Sequence, residues 1–474
     1  MTRRLLRDAA ILAGPGAPRL IRRGWLLMQA GRIVALGEGD PPDDAVAGAE
    51  MLDGRRRLAV PGLVNAHTHS QSATLAGFGD RLSHPAFMWR TLARTANRTP
   101  RETALAVQLT AWWALSTGTT AVLDHFPGQR LTAEDVEAVL AAWHATGLRA
   151  VVGLRFFDQG FADILPDGMP PDADQGLLRP QPLDSLAEIA TDAIARWHGR
   201  DERIGVFPAP SNPDRCSDAA LRLCADLAEH HDTGLHAHLL ETATQARQAC
   251  TRFGMGSLER LEALGVLSDR WSFAHCVHLC EAEIALMARR GATAVLNPES
   301  NARLGVGAAP IPALREAGVT LALATDGPGS NDNLSMHEAM RAAATLHRAA
   351  LPDRARWFSA ADAFRAATEG GSLALRMPRI GALAPGYAAD IVLHDLAAPG
   401  WLPLNDAVAQ LVFTETGATI RTVIVGGETL LDDGRPTRFD PNALAEEILE
   451  MTDRLATRNS ALADAAEAIA ARLP

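Results

Sequence analysis

The sequence predicts an α/β protein: a (β/α)8 TIM barrel with a small β-sandwich domain built from both chain ends. Three observations carry this expectation. Eight short apolar runs alternate with helical segments through the middle of the chain, which is the pattern of βαβ units and a parallel sheet. The flanks on either side show strand-like alternation broken by Gly and Pro. The last segment is rich in Ala and Glu at helical spacing.

Taken in order, residues 1–57 hold alternating runs at 25–28 and 32–36, and residues 380–435 repeat that texture at 390–394 and 422–425. These are read as two halves of the sandwich. The barrel is assigned to residues 58–379, with strands at 58–66, 119–124, 149–156, 204–209, 235–239, 271–276, 292–297 and 320–325. Amphipathic segments at 133–146, 217–232 and 336–349 separate some of them, several opening with Ser or Thr caps. Residues 103–123 carry no charge and are long enough to suggest a membrane span. They hold Gln108, Gly118 and several hydroxyl residues, and they follow a capping box formed by Thr99 and Glu102. The segment is therefore read as a buried helix followed by a strand. Residues 166–184, rich in Pro, Asp and Gly, are read as a long loop that could wall a site. Residues 436–474 are read as a helical tail.

Composition narrows the chemistry. The 474 residues carry 45 cationic side chains, every one of them Arg, against 56 Asp and Glu, for a net charge of −11. Without lysine there is no Schiff base, no P-loop phosphate site and no metal pair bridged by a carboxylated lysine. The acidic balance argues against nucleic acid as a partner, and the one basic cluster, Arg55 to Arg57, is read as a solvated hairpin. Five cysteines with no Cys-x-x-Cys spacing suit a reducing compartment. Arg7 and Asp8 interrupt the first apolar run, so no signal peptide is expected. The expected setting is cytoplasmic, away from membranes.

Chemistry concentrates at the ends of the predicted strands. The first ends in Asn65-Ala66-His67-Thr68-His69, and residues two apart in a strand share a face. The fifth ends in His236-Ala237-His238, with Glu241 three residues on. The sixth ends in His275 and the eighth in Asp326. Neutral imidazoles and a carboxylate around an open water position form the ligand set of a catalytic zinc or ferrous ion. A lone strand-end histidine is weak evidence; four such groups at one end of a barrel are strong evidence. His236 lies a pleat deeper than His238 and is expected to play a supporting role.

These segments resemble the amidohydrolase superfamily, in particular its mononuclear branch of metal-dependent aminohydrolases, which includes S-adenosylhomocysteine, guanine and 8-oxoguanine deaminases and triazine hydrolases. The resemblance rests on residues 61–69, 236–242, 274–279, 297–301 and 324–331, with the flanking β halves added. It implies that His67, His69, His238 and Asp326 hold one divalent ion, zinc or iron, that Glu241 shuttles protons, and that His275 polarises the bond under attack. Two-metal relatives use a carboxylated lysine on the fourth strand, where this chain has residues 204–209 and no lysine. The implied reaction is attack by an activated water, deprotonated with help from Asp326, on a ring carbon bearing an amino group. Ammonia leaves and the oxo form remains. The resemblance also implies a homodimer or homotetramer.

Substrate contacts are less defined. Gln71, Trp89, His125, Arg155 and Asn301 are the candidates, each with a plain packing or hydrogen-bonding alternative. Phe87 shares the loop of Trp89, and for Arg155 the alternative is an ion pair with Asp158. Thioether-nucleoside deaminases carry an Arg-Gly with an acidic pair, and a later Glu for the ribose. This chain has Leu75 to Arg81 and then Ala96 or Asn97 at those places. The departure points to a free base, pterin, pyrimidine, triazine or similar small heterocycle. Cleavage of a carbon–halide, N-alkylamine or cyclic amide bond by the same site stays open, as does a non-catalytic assembly role.

Overall fold

The computed structural model describes residues 3–127, 130–165, 178 and 180–473. Eight parallel strands lie at its centre: β1 (Leu63–Thr68), β2 (Thr119–Phe126), β3 (Arg149–Phe156), β4 (Ile204–Pro210), β5 (Leu235–Leu239), β6 (Trp271–His275), β7 (Thr293–Leu296) and β8 (Thr320–Leu323). They pair as two four-stranded parallel sheets, β1 to β4 and β5 to β8, each in sequence order. Backbone hydrogen bonds cross both seams. The Asp326 N–H beyond β8 donates to the His67 carbonyl on β1 at 3.1 Å, and the His238 N–H on β5 donates to the Ser211 carbonyl beyond β4 at 3.3 Å.

Alternate residues of these strands point to opposite faces, and both faces are buried. Val64, Ala66, Ala121, Leu123, Val151, Phe207, Val295 and Ala322 form one cluster. Their neighbours Leu63, Val122, Val152, Val206, Leu235 and Phe273 pack into a second cluster with the surrounding helices. Two-sided burial is why the strands read as continuous apolar runs instead of alternating ones.

That continuity hid one break. The run at 58–66 is two strands, Arg57–Pro61 and β1, separated at Gly62. A Cβ on Gly62 would lie 2.0 Å from the Thr120 hydroxyl, so the chain can pass β2 there only as glycine. Arg57–Pro61 belongs to the outer sheet, where it pairs antiparallel with Ile391–Asp395 and so joins the two chain ends. This sheet has nine strands, five from residues 3–61 and four from residues 391–436. Leu6, Ile11, Leu26 and Met28 from one end share a core with Ile391, Leu393 and Ile424 from the other.

Helices α1 (His84–Thr95) and α2 (Pro100–Ser116) follow β1. Thr99 and Glu102 form the expected capping box, so residues 103–123 are the body of α2 and most of β2. Among the described residues no helix is long and apolar enough to cross a membrane. The tail forms two helices, α3 (Pro441–Arg458) and α4 (Ser460–Ala470), where a single one was expected. They part at Asn459, whose side-chain amide donates to the Ala96 carbonyl at 2.7 Å. Ala466 and Ile469 of α4 then pack on Trp89, Leu92 and Ala93 of α1. Of the predicted loop at 166–184, residues 166–177 and 179 lie outside the described residues.

Candidate metal centre and active site

The ends of β1, β5 and β8 bring three imidazoles and a carboxylate to one point. His69 Nε2 lies 3.2 Å from His238 Nε2 and 3.3 Å from Asp326 Oδ1, and His67 Nε2 lies 3.4 Å from that same oxygen. His67 Nε2 and Asp326 Oδ1 are buried with no hydrogen-bond partner among the described residues. Orphaned buried donors and acceptors are rare in folded proteins and call for an explanation. A cation shared by these atoms supplies one.

The remaining atoms of the four side chains are tied down in a way that aims the free ones inward. His67 Nδ1 is 2.8 Å from His236 Nε2, and His236 Nδ1 is 2.7 Å from the Ser272 hydroxyl, which donates on to the Leu235 carbonyl. His69 Nδ1 donates to the His125 carbonyl at 2.9 Å, and His238 Nδ1 donates to the Ser211 carbonyl at 2.7 Å. Asp326 Oδ2 accepts from the hydroxyls of Ser300 and Ser330, both at 2.7 Å. Each imidazole thus presents Nε2 to the centre, the tautomer a metal ligand requires. Burial drives the His67 imidazole down to about 4 and holds His238 well below the ordinary histidine value, so both rings are neutral at neutral pH. Burial works to raise the Asp326 carboxyl, but the adjacent His67 and His69 imidazoles outweigh it and hold the carboxyl well below the carboxylate range. Neutral imidazoles and an ionised carboxylate are the protonation states that bind a divalent ion.

The strand ends that deliver these groups are strained. Asp326 and His275 sit at φ 60° and 75°, with Leu240 at 47° and Cys276 at 53°. Left-handed backbone at non-glycine residues costs energy and clusters at functional sites.

Glu241 and His275 face the same cavity, alongside His69, His238 and Asp326. His275 Nδ1 is 2.9 Å from Asn301 Oδ1, which fixes its ring. Glu241 is buried, yet the nearby His275 and His84 outweigh burial and keep its carboxyl below the usual range. His84, the first residue of α1, is the group the sequence reading missed: its Nε2 lies 3.1 Å from Glu241 Oε2. No spacing rule links residues 157 positions apart; the only local hint was a histidine opening a helix in the loop after the first metal motif.

The other candidates divide. Gln71 and Arg155 line the cavity. One Arg155 nitrogen is buried and unpartnered, and Asp158 accepts from Ser217 instead of pairing with it. His125 is fully buried behind His69 and His238, with a ring nitrogen in the same ligand-distance group. Asn301 reaches the cavity only through His275. Trp89 is not brought to the cavity: its ring packs under α1 with Phe157 and Phe161, and its N–H donates to the Ile164 carbonyl. Phe87, two residues earlier, lines the wall in its place.

Parallel strands whose carboxyl ends carry three imidazoles and an aspartate have the layout of metal-assisted hydrolases. The chain belongs to the amidohydrolase family, whose model matches residues 58–430. The 5-methylthioadenosine/S-adenosylhomocysteine deaminase of Nitratidesulfovibrio vulgaris strain DP4 is 35% identical over 454 residues, spanning 94% of this chain and 95% of that protein. Two solved structures are also similar. A zinc-bound adenosine deaminase from Xanthomonas campestris has a TM-score of 0.84 and 30% identity, covering 96% of this chain and 98% of its own. A zinc complex of atrazine chlorohydrolase from Arthrobacter aurescens TC1 has a TM-score of 0.86 and 25% identity, covering 94% of this chain and 99% of its own.

Proposed function

We propose that this chain is a metal-dependent aminohydrolase that exchanges the exocyclic amino group of a small aminated heterocycle for oxygen and releases ammonia. In this reading the two parallel sheets close as one (β/α)8 barrel that begins at Gly62 and not at residue 58, and the nine-stranded sheet is the sandwich, made by residues 3–61 and 391–436. The observation that carries the proposal is the approach of His67, His69, His238 and Asp326, linked by contacts of 3.2–3.4 Å, beside a cavity that also holds Glu241 and His275. Those four residues would hold one divalent ion, zinc by analogy with the zinc-bound neighbours. When bound, the ion makes a water acidic enough to attack near neutral pH.

The chain's own groups do the rest. Asp326, oriented by the two serine hydroxyls that engage Oδ2, stands beside the ligand point and is placed to take a proton from the attacking water. Glu241, an ionised carboxylate held by His84, takes one proton of the attacking water and passes it to the ring nitrogen; the second proton, taken up by Asp326, goes to the departing amine, so the two protons of water end on the oxo product and on ammonia. His275, its Nδ1 committed to Asn301, directs Nε2 at the oxygen that becomes the product carbonyl and stabilises charge developing there. Gln71, Arg155 and Phe87 shape the ring's surroundings. Three buried, unpaired cysteines support a cytoplasmic setting, and family membership supports a homodimer or homotetramer.

The test is ammonia release by the zinc-loaded protein across purines, pyrimidines, pterins and triazines, run beside Glu241→Gln. At least one compound should be deaminated, and Glu241→Gln should keep its metal while losing roughly 10²–10⁴ in turnover. No ammonia from any compound, or a Glu241→Gln rate near wild type, overturns the proposal. Release of halide or alkylamine alone would move the activity to another bond at the same site.

A further inference from the structure

A second cavity, of about 160 Å3, lies beside the catalytic one, and Gln71 and Thr95 line both. Its wall carries two arginines, Arg98 and Arg130. All three guanidinium nitrogens of Arg98 are buried and have no hydrogen-bond partner among the described residues. Burial pushes this side chain down to about 10. It is still a cation at neutral pH, and a buried cation without a partner is costly to the fold.

The surroundings explain why nothing in the chain claims it. Glu102, the acid that acts on Arg98, is taken by Arg454 at 3.4 Å and Arg458 at 2.8 Å, and it also caps the Thr99 N–H. Asp135, the acid in the cavity wall, accepts from the Thr132 hydroxyl at 2.7 Å and makes no ion pair with Arg98. The approach of Arg98 is also fixed. Asn97 sits in the left-handed region at φ 55°, its carbonyl accepts from Arg458 at 2.7 Å, and its amide donates to Asn459 at 3.0 Å. The tail therefore clamps the turn that turns Arg98 inward. On the catalytic side of the shared wall, Gln71 Oε1 is likewise buried and unpartnered. One orphaned group thus stands on the wall the two cavities share and another in the side cavity, where a ligand reaching from one cavity to the other would meet both.

We propose that the side cavity is a subsite for an anionic oxygen group, a carboxylate or a phosphate, carried on a substituent of the substrate. The ring occupies the catalytic cavity, the substituent passes Gln71 and Thr95, and Arg98 binds the anion, with the exposed Arg130 at the mouth. This deepens the aminohydrolase reading and rests on it for the ring, but the anion site itself does not.

Two measurements separate the two. In the first, the melting temperature of the zinc-loaded protein is followed with inorganic phosphate or with acetate against chloride at constant ionic strength. Wild type should gain ~2 °C or more with at least one of these anions, Arg130→Gln less, and Arg98→Gln nothing. Because Arg98 is an unpaired buried cation, Arg98→Gln should melt no lower than wild type without anion, whereas a structural arginine would leave it lower; Arg98→Lys should keep the anion response. In the second, each deaminated ring is compared as an acid-bearing and a neutral isosteric pair. The acid-to-neutral ratio of kcat/KM should exceed one and fall at least about tenfold in Arg98→Gln, the loss of one charge-assisted contact. No anion response in wild type, or the same response in Arg98→Gln, overturns the subsite. So does an acid preference that survives Arg98→Gln and disappears in Arg155→Gln, which would place the anion in the catalytic cavity. If nothing is deaminated while the anion response holds, the aminohydrolase reading fails and the subsite stands.

Discussion

The two ends of the parallel strands both bury charge, and they do so in opposite ways. Beside the amino end of β3, Arg149 donates to Asp390 through Nε at 2.7 Å and Nη2 at 3.1 Å, while its Nη1 donates to the Glu202 carbonyl at 2.7 Å. Asp390 accepts further from the Gly426 N–H at 2.8 Å, and its carbonyl takes the Gly62 N–H. No side-chain atom of this pair is without a partner, and the pair fastens the nine-stranded sheet to the parallel strands. At the carboxyl end, His67 Nε2, Asp326 Oδ1, Gln71 Oε1 and a nitrogen of Arg155 are all buried and unpaired. A saturated buried pair is complete without anything else, whereas a cluster of orphans of complementary type is complete only with a ligand. Between these two regions the difference lies in hydrogen-bond satisfaction, since both are buried and both are charged.

The sharpest way to break this comparison is a matched pair of substitutions. Asp326→Asn should retain the fold, with a melting temperature within a few degrees of wild type, and lose both metal and turnover. Asp390→Ala should leave Arg149 buried without its partner and cost about 3–5 kcal/mol of stability, while the folded fraction keeps about one metal per chain. Metal analysis and denaturant unfolding of the two variants check both halves. If Asp326→Asn unfolds the protein and Asp390→Ala strips its metal, the assignment of the two ends is reversed.

A smaller effect probes how the orphan atoms are held. His236 touches the centre only through His67 Nδ1, at 2.8 Å. His236→Phe removes the acceptor that fixes the His67 ring and leaves every proposed ligand in place, so metal affinity or turnover should fall by about 10–100-fold without being abolished. Competition with a chelator measures the affinity; a wild-type value would mean that His67 is oriented by packing alone.

Much of the site was legible in sequence because strand periodicity is rigid. His67 and His69 are two apart, His238 ends its strand, and Asp326 follows the last one, so their common end could be inferred before any coordinates. What periodicity could not show was contact across the molecule. His84 meets Glu241 because α1 forms one wall of the cavity, and α1 packs in turn on Ala466 and Ile469 of α4, far down the chain. Trp89 misled for a related reason: an aromatic residue in the right loop can face either way, and the helix turned it under and Phe87 out. The division of the 58–66 run escaped because both strands are apolar and the only sign is the single residue Gly62.

An effect confined to one pH window comes from a group that supports the site from behind. Glu299 precedes Ser300, whose hydroxyl holds Asp326, and accepts from the Asn331 amide at 3.3 Å, while Asn331 follows the other clamping serine. Burial, and then the nearby Glu338 carboxylate, raise the Glu299 carboxyl from its ordinary 4.5 to about 8. The folded protein therefore holds a proton that the unfolded chain gives up between those values. The stabilisation this provides is full below pH 4.5 and is lost as pH rises through about 8. Glu299→Gln presents a neutral amide at every pH, so its stability relative to wild type should climb across that window and level off above it. Melting temperatures of both proteins from pH 5 to 9, taken with metal bound, check the slope. Parallel profiles would mean that Glu299 is already ionised in the fold, and that Asn331 and its neighbours satisfy it as fully as Arg149 satisfies Asp390.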